Sequence, residues 1–272
     1  MKVALVTGAS SGIGFETAKM LAKKDYIVYA ISRNVKNMQS LLAYNVKIIK
    51  LDITDYAAIH EVVNHIIEQE GHINILVNNA GYGSYGAVED VPIEEAKRQF
   101  EVNLFGLSEL TRAIIPSMRE QKLGKIINIS SIGGRMPNYF GTWYHASKYA
   151  LEGYSESLRL ELSEFDIDVI VIEPANINTN WGKITGQNLK TIAKGGYYEE
   201  KSLKMAQLLI GEPALNIRSH PSVVAKVIIK SIEKRHVKTR YVVGFLAKTV
   251  IRLYSILPTK LFNWILKKLI SK

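Results

Sequence analysis

The 272-residue chain contains no cysteine, which excludes a disulfide framework and any thiolate metal site and fits a reducing compartment. Nor does it hold a long apolar run. The longest stretch without a charged residue, Ile73 to Val88, is rich in Gly and Asn and shorter than the about 20 mainly apolar residues that a membrane-spanning helix needs. Met1 and Lys2 lead straight into "VALVTG", without the charged start, apolar stretch and small-residue cleavage site of a secretory leader. A cytoplasmic protein is therefore expected. Acidic residues are missing from one end only. From Lys226 to Lys272 there are twelve Lys or Arg and one acid, Glu233, a net +11, while the preceding residues carry −1. The basic character of the chain belongs to its C-terminal end, and a nucleic-acid partner is not expected, because zinc-finger spacing, basic-region heptads and an RNA-binding aromatic signature are all absent.

What is present is an alternation. "KVALVTG", "YIVYAI", "VKIIKL", "INILVNN", "GKIINIS" and "IDVIVIEP" read as six buried strands, with helical patterns near 12–24, 55–70, 94–121 and 143–164 between them. This rhythm predicts an α/β fold, a parallel sheet wrapped by helices on both faces. A further helix is expected from Pro221 to Arg235, then a short strand "RYVVG", which brings the sheet to about seven strands. With no internal repeat, low-complexity tract or Pro/Ser-rich linker, a second independent domain is not expected. Residues 1–245 would form one doubly wound domain, with 246–272 as a basic amphipathic helical extension.

The first strand runs into "TGASSGIG", where Gly8, Gly12 and Gly14 open the first helix. Glycines let such a turn tighten and let backbone N–H groups approach a pyrophosphate, whose charge the helix N-terminus favours. The same glycines could be mere strand-to-helix punctuation. No Gly-Lys-Ser/Thr follows, so a nucleoside-triphosphate loop is not supported.

"TGASSGIG", "NNAG" at 78–81, Asn103, "NISS" at 128–131 and "YHASK" at 144–148 together resemble the ordered motif set of the classical short-chain dehydrogenases/reductases. In the last third, and in "NNAGYGSYGAVED", the chain looks most like the 17β-hydroxysteroid-dehydrogenase-like and retinol-dehydrogenase-like members. The resemblance covers about residues 1–180 and implies a Rossmann fold, a nicotinamide cofactor, no metal, and interconversion of an alcohol with a ketone or aldehyde. Homo-oligomers, dimers or tetramers, are common in the family.

"YHASK" separates a phenol from an ammonium by one helical turn, so both share a face. A phenol's reference pKa is about 10, and a neighbouring ammonium is expected to lower it. By resemblance, Tyr144 is the general acid/base at the substrate oxygen, Lys148 also bonds the nicotinamide ribose, Ser131 bonds the same substrate oxygen, and Asn103 holds a water that relays protons. Each has a plain structural alternative: a solvated helix face for Tyr144 and Lys148, turn chemistry for Ser131, an exposed helical Asn103. His145, inside the motif, is not assigned a role.

The resemblance also marks dinucleotide contacts at Ser10, Ser11 and Ile13 in the glycine turn, at Asp52 and Ile53 by the adenine, and at Asn79, Ala80 and Gly81 by the adenine ribose. Pro174, Ile177 and Thr179 follow the sixth strand, with Thr179 at the carboxamide and Ala175 standing where the family has glycine. Asp52 could equally be a helix-entry turn residue. Folds of this kind that prefer NAD place an acid about 20 residues past the glycine turn, whereas an arginine nearby accommodates a 2′-phosphate. Here Ser32 occupies that position and Arg33 follows it, so NADP(H) is expected ahead of NAD(H).

Residues 179–220 are expected to cover the active site as a lid. Its Trp181, Tyr197, Tyr198, Leu203, Met205, Leu208 and Leu209 fit a lipophilic substrate, or equally plain packing around a helix. At the C-terminus, Leu261, Phe262, Ile265, Leu266 and Leu269 recur at helical spacing beyond Pro258, flanked by Lys260, Lys267, Lys268 and Lys272. This face would either pack on the domain or a second subunit, or touch a membrane peripherally. The rival to an enzyme is a non-catalytic NAD(P)-binding redox sensor or scaffold, a class that characteristically loses the tyrosine or lysine retained here.

Overall fold

The computed structural model describes residues 1–211 and 218–271. Seven strands, β1 (Val3–Thr7), β2 (Ile27–Ser32), β3 (Lys47–Lys50), β4 (Ile75–Asn78), β5 (Gly124–Ile129), β6 (Ile167–Pro174) and β7 (Arg240–Val243), form one parallel sheet in the order β3-β2-β1-β4-β5-β6-β7. The order reverses between β1 and β4, so the chain leaves the carboxyl ends of these neighbours in opposite directions and opens a crevice there. Helices α1 (Gly12–Ala22) and α8 (Pro221–Glu233) cover one face of the sheet. Helices α2 (Tyr56–Glu70), α4 (Gly106–Gln121) and α5 (Thr142–Leu162) cover the other. Strands β1 and β4 are buried along their whole length, as a sheet packed on both faces requires.

The expected helix over 94–121 is interrupted. Helix α3 (Ile93–Phe100) passes into a π-helical turn, Glu101–Phe105, before α4 begins at Gly106. A Cβ on Gly106 would lie 2.2 Å from the Ile53 carbonyl oxygen, so the segment presses directly against the loop after β3. This π-helical turn carries Asn103.

The lid region holds two helices that periodicity does not reveal, α6 (Asn180–Ile192) and α7 (Glu199–Ile210). Gly182 and Gly186 read as helix breakers, yet they are contact points: added Cβ atoms would lie 2.4 Å from the Leu209 carbonyl oxygen and 2.9 Å from that of Ala206. The glycines let α6 and α7 pack backbone against backbone. Residues 212–217 of the expected lid lie outside the described residues, as do Lys272 and the side chain of Leu269. A 3-10 segment, Val35–Tyr44, connects β2 to β3.

Beyond β7 come α9 (Ala247–Ile256) and α10 (Thr259–Ser271), broken at Pro258 as the sequence predicts. The outward face of α10 differs from the expected one. Phe262 is buried and Leu266 half-buried, while Leu261, Trp264 and Ile265 are exposed. Among the described residues no helix is long and apolar enough to cross a membrane.

Candidate active site

Of the expected catalytic and dinucleotide-contact residues, all but Gly14 and Asn103 line one cleft of about 630 Å³ at the carboxyl ends of the strands. Its floor begins with the glycine turn. Gly8 adopts φ +63°, and a Cβ there would lie 2.9 Å from Ala80 Cα. At Gly14 it would lie 2.5 Å from Asn79 Nδ2 and 2.6 Å from the Gly8 carbonyl oxygen. Asn79 donates from that nitrogen to the Thr7 and Gly8 carbonyls. The Thr7 hydroxyl accepts from the Asn79 and Ala80 N–H groups at 2.9 and 2.8 Å. Thr7, visible in "TGASSGIG" yet given no role from sequence, thus clamps the loop after β4 onto the turn. The result is a backbone-walled cradle at the N-terminus of α1, shaped for a group that only glycine lets approach.

Asn103 stands behind this wall. Its Oδ1 accepts from the Tyr82 N–H at 3.0 Å, and its Nδ2 donates to the Tyr82 carbonyl at 3.0 Å and to Ser147 Oγ at 3.1 Å. Both ends of the amide are occupied in tying the β4 loop to α5, and the residue is 1% exposed, so the exposed-helix alternative does not apply. Asp52 accepts from the Thr54 N–H and hydroxyl at 3.1 and 3.0 Å. It makes the turn that precedes α2 while also lining the cleft.

Tyr144, Lys148 and Ser131 converge on the inner part of the cleft. Tyr144 and Lys148 are both buried, which excludes the solvated-face reading. Their electrostatics depart from expectation. Burial pushes the Tyr144 phenol up to about 12, and the opposing influence is the Ser131 hydroxyl, not Lys148. Lys148 Nζ donates instead to the Ile129 carbonyl at 2.9 Å. Burial brings its own pKa down to about 8, opposed by Glu152 one turn further along α5. The i, i+4 spacing places the two groups in one cleft, but in this state desolvation outweighs their mutual attraction.

His145 is a latch. Its Nδ1 lies 2.8 Å from the Gly133 carbonyl, and its Nε2 accepts from the Asn138 N–H at 3.0 Å, a pairing that assigns the proton to Nδ1. Burial lowers its pKa, so it stays neutral and holds the Ser131 loop against α5.

Around Tyr144 stand Tyr85, with ring centroids 5.7 Å apart, and Trp181, at 5.1 Å. Tyr85 has no counterpart in the sequence reading, since nothing in its spacing marks it. Of the lid residues, Trp181 and Leu209 line the cleft, Met205 and Tyr198 pack behind them, and Tyr197, Leu203 and Leu208 face solvent. Ser32 Oγ accepts from the Asn34 N–H at 3.1 Å. Arg33 stands exposed in the cleft lining, where among the described residues Asp52 is the only carboxylate.

A buried charge cluster continues behind Lys148. Glu173 on β6 is wholly buried and faces Glu152, with Arg240 2.7 Å and Arg135 3.6 Å from its carboxylate. Burial, reinforced by Glu152, pushes its pKa up to about 7. A carboxyl whose folded pKa lies above its unfolded value destabilises the fold increasingly as pH rises between the two. The Tm of Glu173→Gln relative to the natural protein is therefore expected to improve from pH about 5 to pH about 8. A difference that stays constant across that window in thermal melts would contradict the shift.

Residues 2–190 match the short chain dehydrogenase family. The chain belongs to this family. Over 261 residues it is 38% identical to VdlC of Helicobacter pylori, described as a short-chain type dehydrogenase/reductase, covering 96% of this chain and 95% of that one. It is 34% identical to a 3-ketodihydrosphingosine reductase of Bacteroides thetaiotaomicron, over 98% and 97% of the two chains. The crystal structure of a short-chain dehydrogenase from Streptomyces avermitilis superposes with a TM-score of 0.81 at 32% identity, over 97% and 95%. The same fold is solved with NADPH in a variant of actinorhodin polyketide ketoreductase (26% identity, TM-score 0.76, 90% and 97%). It is solved with NAD+ in xylitol dehydrogenase (25%, 0.77, 90% and 98%). This short-chain dehydrogenase/reductase is an oxidoreductase acting on CH–OH groups with a nicotinamide cofactor.

Proposed function

We propose that this short-chain dehydrogenase/reductase is an NADP(H)-dependent enzyme that interconverts a lipophilic alcohol with its ketone or aldehyde, using Tyr144 as the general acid/base. The observation that carries the reading is the convergence of Tyr144, Ser131 and Lys148 in a cleft whose other end is the glycine cradle.

The residues fit a dinucleotide. The backbone around Gly8, Ser10, Ser11, Gly12, Ile13 and Gly14 would hold the pyrophosphate, Asp52, Ile53 and the loop Asn79–Gly81 the adenosine end, and Lys148, Pro174, Ile177 and Thr179 the nicotinamide end. When bound, the nicotinamide supplies or accepts the hydride. The chain supplies the rest. Tyr144 gives its proton to the carbonyl oxygen in reduction and takes it back in oxidation. The Ser131 hydroxyl donates to the same oxygen as charge develops there. The charge of Lys148, kept by Glu152, orients the ribose and favours the phenolate once the proton has left. A phenol held near 12 keeps its proton throughout the neutral range, so the acid required for reduction is always present.

The described residues of the 179–220 region serve as the lid. Trp181 and Leu209, with Tyr85 and Met136, give the substrate end an apolar and aromatic wall, which suits a lipophilic carbonyl compound. The similarity to a reductase of 3-ketodihydrosphingosine supports the same class.

Cofactor choice rests on Arg33. No acid stands at the end of β2 to bond a ribose 2′-hydroxyl, and Arg33, exposed in the cleft lining, would meet a 2′-phosphate. Arg33→Ala is expected to raise the KM for NADPH by about tenfold, the scale of one charge-assisted pair, while changing that for NADH little. Equal changes for both, measured with a common carbonyl substrate, would remove the basis for the preference.

A further inference from the structure

Helices α9 and α10 turn anchoring residues inward and leave two apolar stripes outside. Ala247, Ile251 and Phe262 are buried, and Tyr254 packs edge-on against Phe262 with ring centroids 4.8 Å apart, which fixes the two helices together. Outside, Leu253 and Ile256 share a face of α9 at i and i+3, exposed by 49% and 79%. Leu261, Trp264 and Ile265 share a face of α10 and are exposed by 44%, 51% and 37%. Large apolar side chains in this density on consecutive short helices exceed the scattered singles of an ordinary surface.

Charge identifies what covers them. Lys248, Arg252, Lys260 and Lys268 are all exposed on the same two helices. Lys260 and Lys268 lie one turn before and one turn after Trp264, with Lys268 Nζ 4.2 Å over the indole ring. From residue 234 to the end of the sequence there is no Asp or Glu. A second copy of this chain seated on the same face would bring these cations against their own counterparts, with no carboxylate on either hairpin to offset them. An anionic lipid surface meets both requirements. Its headgroups answer the cations, and its acyl boundary takes the leucines, isoleucines and tryptophan. We infer that the α9–α10 hairpin is a docking surface for an anionic bilayer, bound peripherally and reversibly. This inference goes beyond the proposed reaction and does not depend on it.

The test is co-sedimentation of the full chain with phosphatidylcholine vesicles and with vesicles containing phosphatidylglycerol, at low and high salt. Binding to the anionic vesicles only, reversed by salt, is expected. Lys260→Glu is expected to lower the partition coefficient by at least about fivefold, corresponding to ~1 kcal/mol per basic residue near the surface. Trp264→Glu is expected to lower it further, with Tm and NADPH affinity unchanged in both variants. The inference is overturned if the natural chain stays in the supernatant with anionic vesicles at low salt, or binds neutral vesicles equally well. It is also overturned if analytical ultracentrifugation shows a dimer that Trp264→Glu dissociates, since the face would then belong to a second copy.

Discussion

Tyr144→Phe is expected to bind NADPH with nearly natural affinity and to lose about 10³-fold in kcat, within the range that a positioned general acid contributes. The substitution removes one oxygen from a ring that Tyr85 and Trp181 hold in place, so the packing around it stays. What disappears is the hydroxyl that Ser131 accompanies in the cleft. The proton would then have to come from water, a weaker donor that is not positioned at the substrate oxygen. In free-energy terms the loss is ~4 kcal/mol of transition-state stabilisation. Steady-state rates with a carbonyl substrate, together with a fluorescence titration of NADPH, separate the two effects. A variant that keeps most of its kcat would place the acid elsewhere.

Lys148→Ala is expected to damage binding and turnover together, lowering kcat/KM by about 10³-fold or more, because one buried ammonium serves both the ribose and the phenolate. A loss confined to kcat, with NADPH affinity untouched, would contradict the ribose role. The natural enzyme gives a companion result. Burial brings Lys148 down to about 8, so the positively charged form is complete well below that pH and is lost above it. The pH profile of kcat/KM, which reports groups of the free enzyme, is expected to fall as pH rises through about 8. Glu152→Gln removes the carboxylate that raises the lysine's pKa and is expected to move this fall to lower pH. A profile that stays level to pH about 10, the ordinary range of a lysine, would contradict the assignment.

The parts of this account that were legible in sequence are those written in local pattern. The alternation of strands and helices and the run from Gly8 to Gly14 announce a parallel sheet with a glycine turn at its first helix because each strand and its turn are contiguous in the chain. The six leading strands and the main helices accordingly appear close to where the pattern places them. What was not legible depends on contacts between distant segments. The Thr7 hydroxyl gains its role only when the loop after β4 folds over it, more than 70 residues away in sequence. Asn103 reads as one position in a helix, and only the π-helical turn and its bonds to Tyr82 and Ser147 show it bracing the cleft. The packing of α6 on α7 at Gly182 and Gly186 was not legible either, because glycine's low helix propensity gives no sign of such a backbone contact.

The pair in "YHASK" is the instructive case. Spacing places Tyr144 and Lys148 in one cleft, but the sign of the Tyr144 shift depends on how dry that cleft is. A lysine that donates to the Ile129 carbonyl does not offset the burial of the phenol. Spacing carries geometry. It does not carry the balance between desolvation and charge.

The central claim, hydride exchange at a carbinol carbon inside this cleft, is tested most directly by isotope transfer. The purified chain would reduce a ketone with NADPH deuterated at C4 of the nicotinamide, each face labelled in turn, and the product would be read by mass spectrometry. The account predicts that the label from one face appears on the carbinol carbon, with the rate collapsing in Tyr144→Phe. Product formed with no label at that carbon from either face would contradict it.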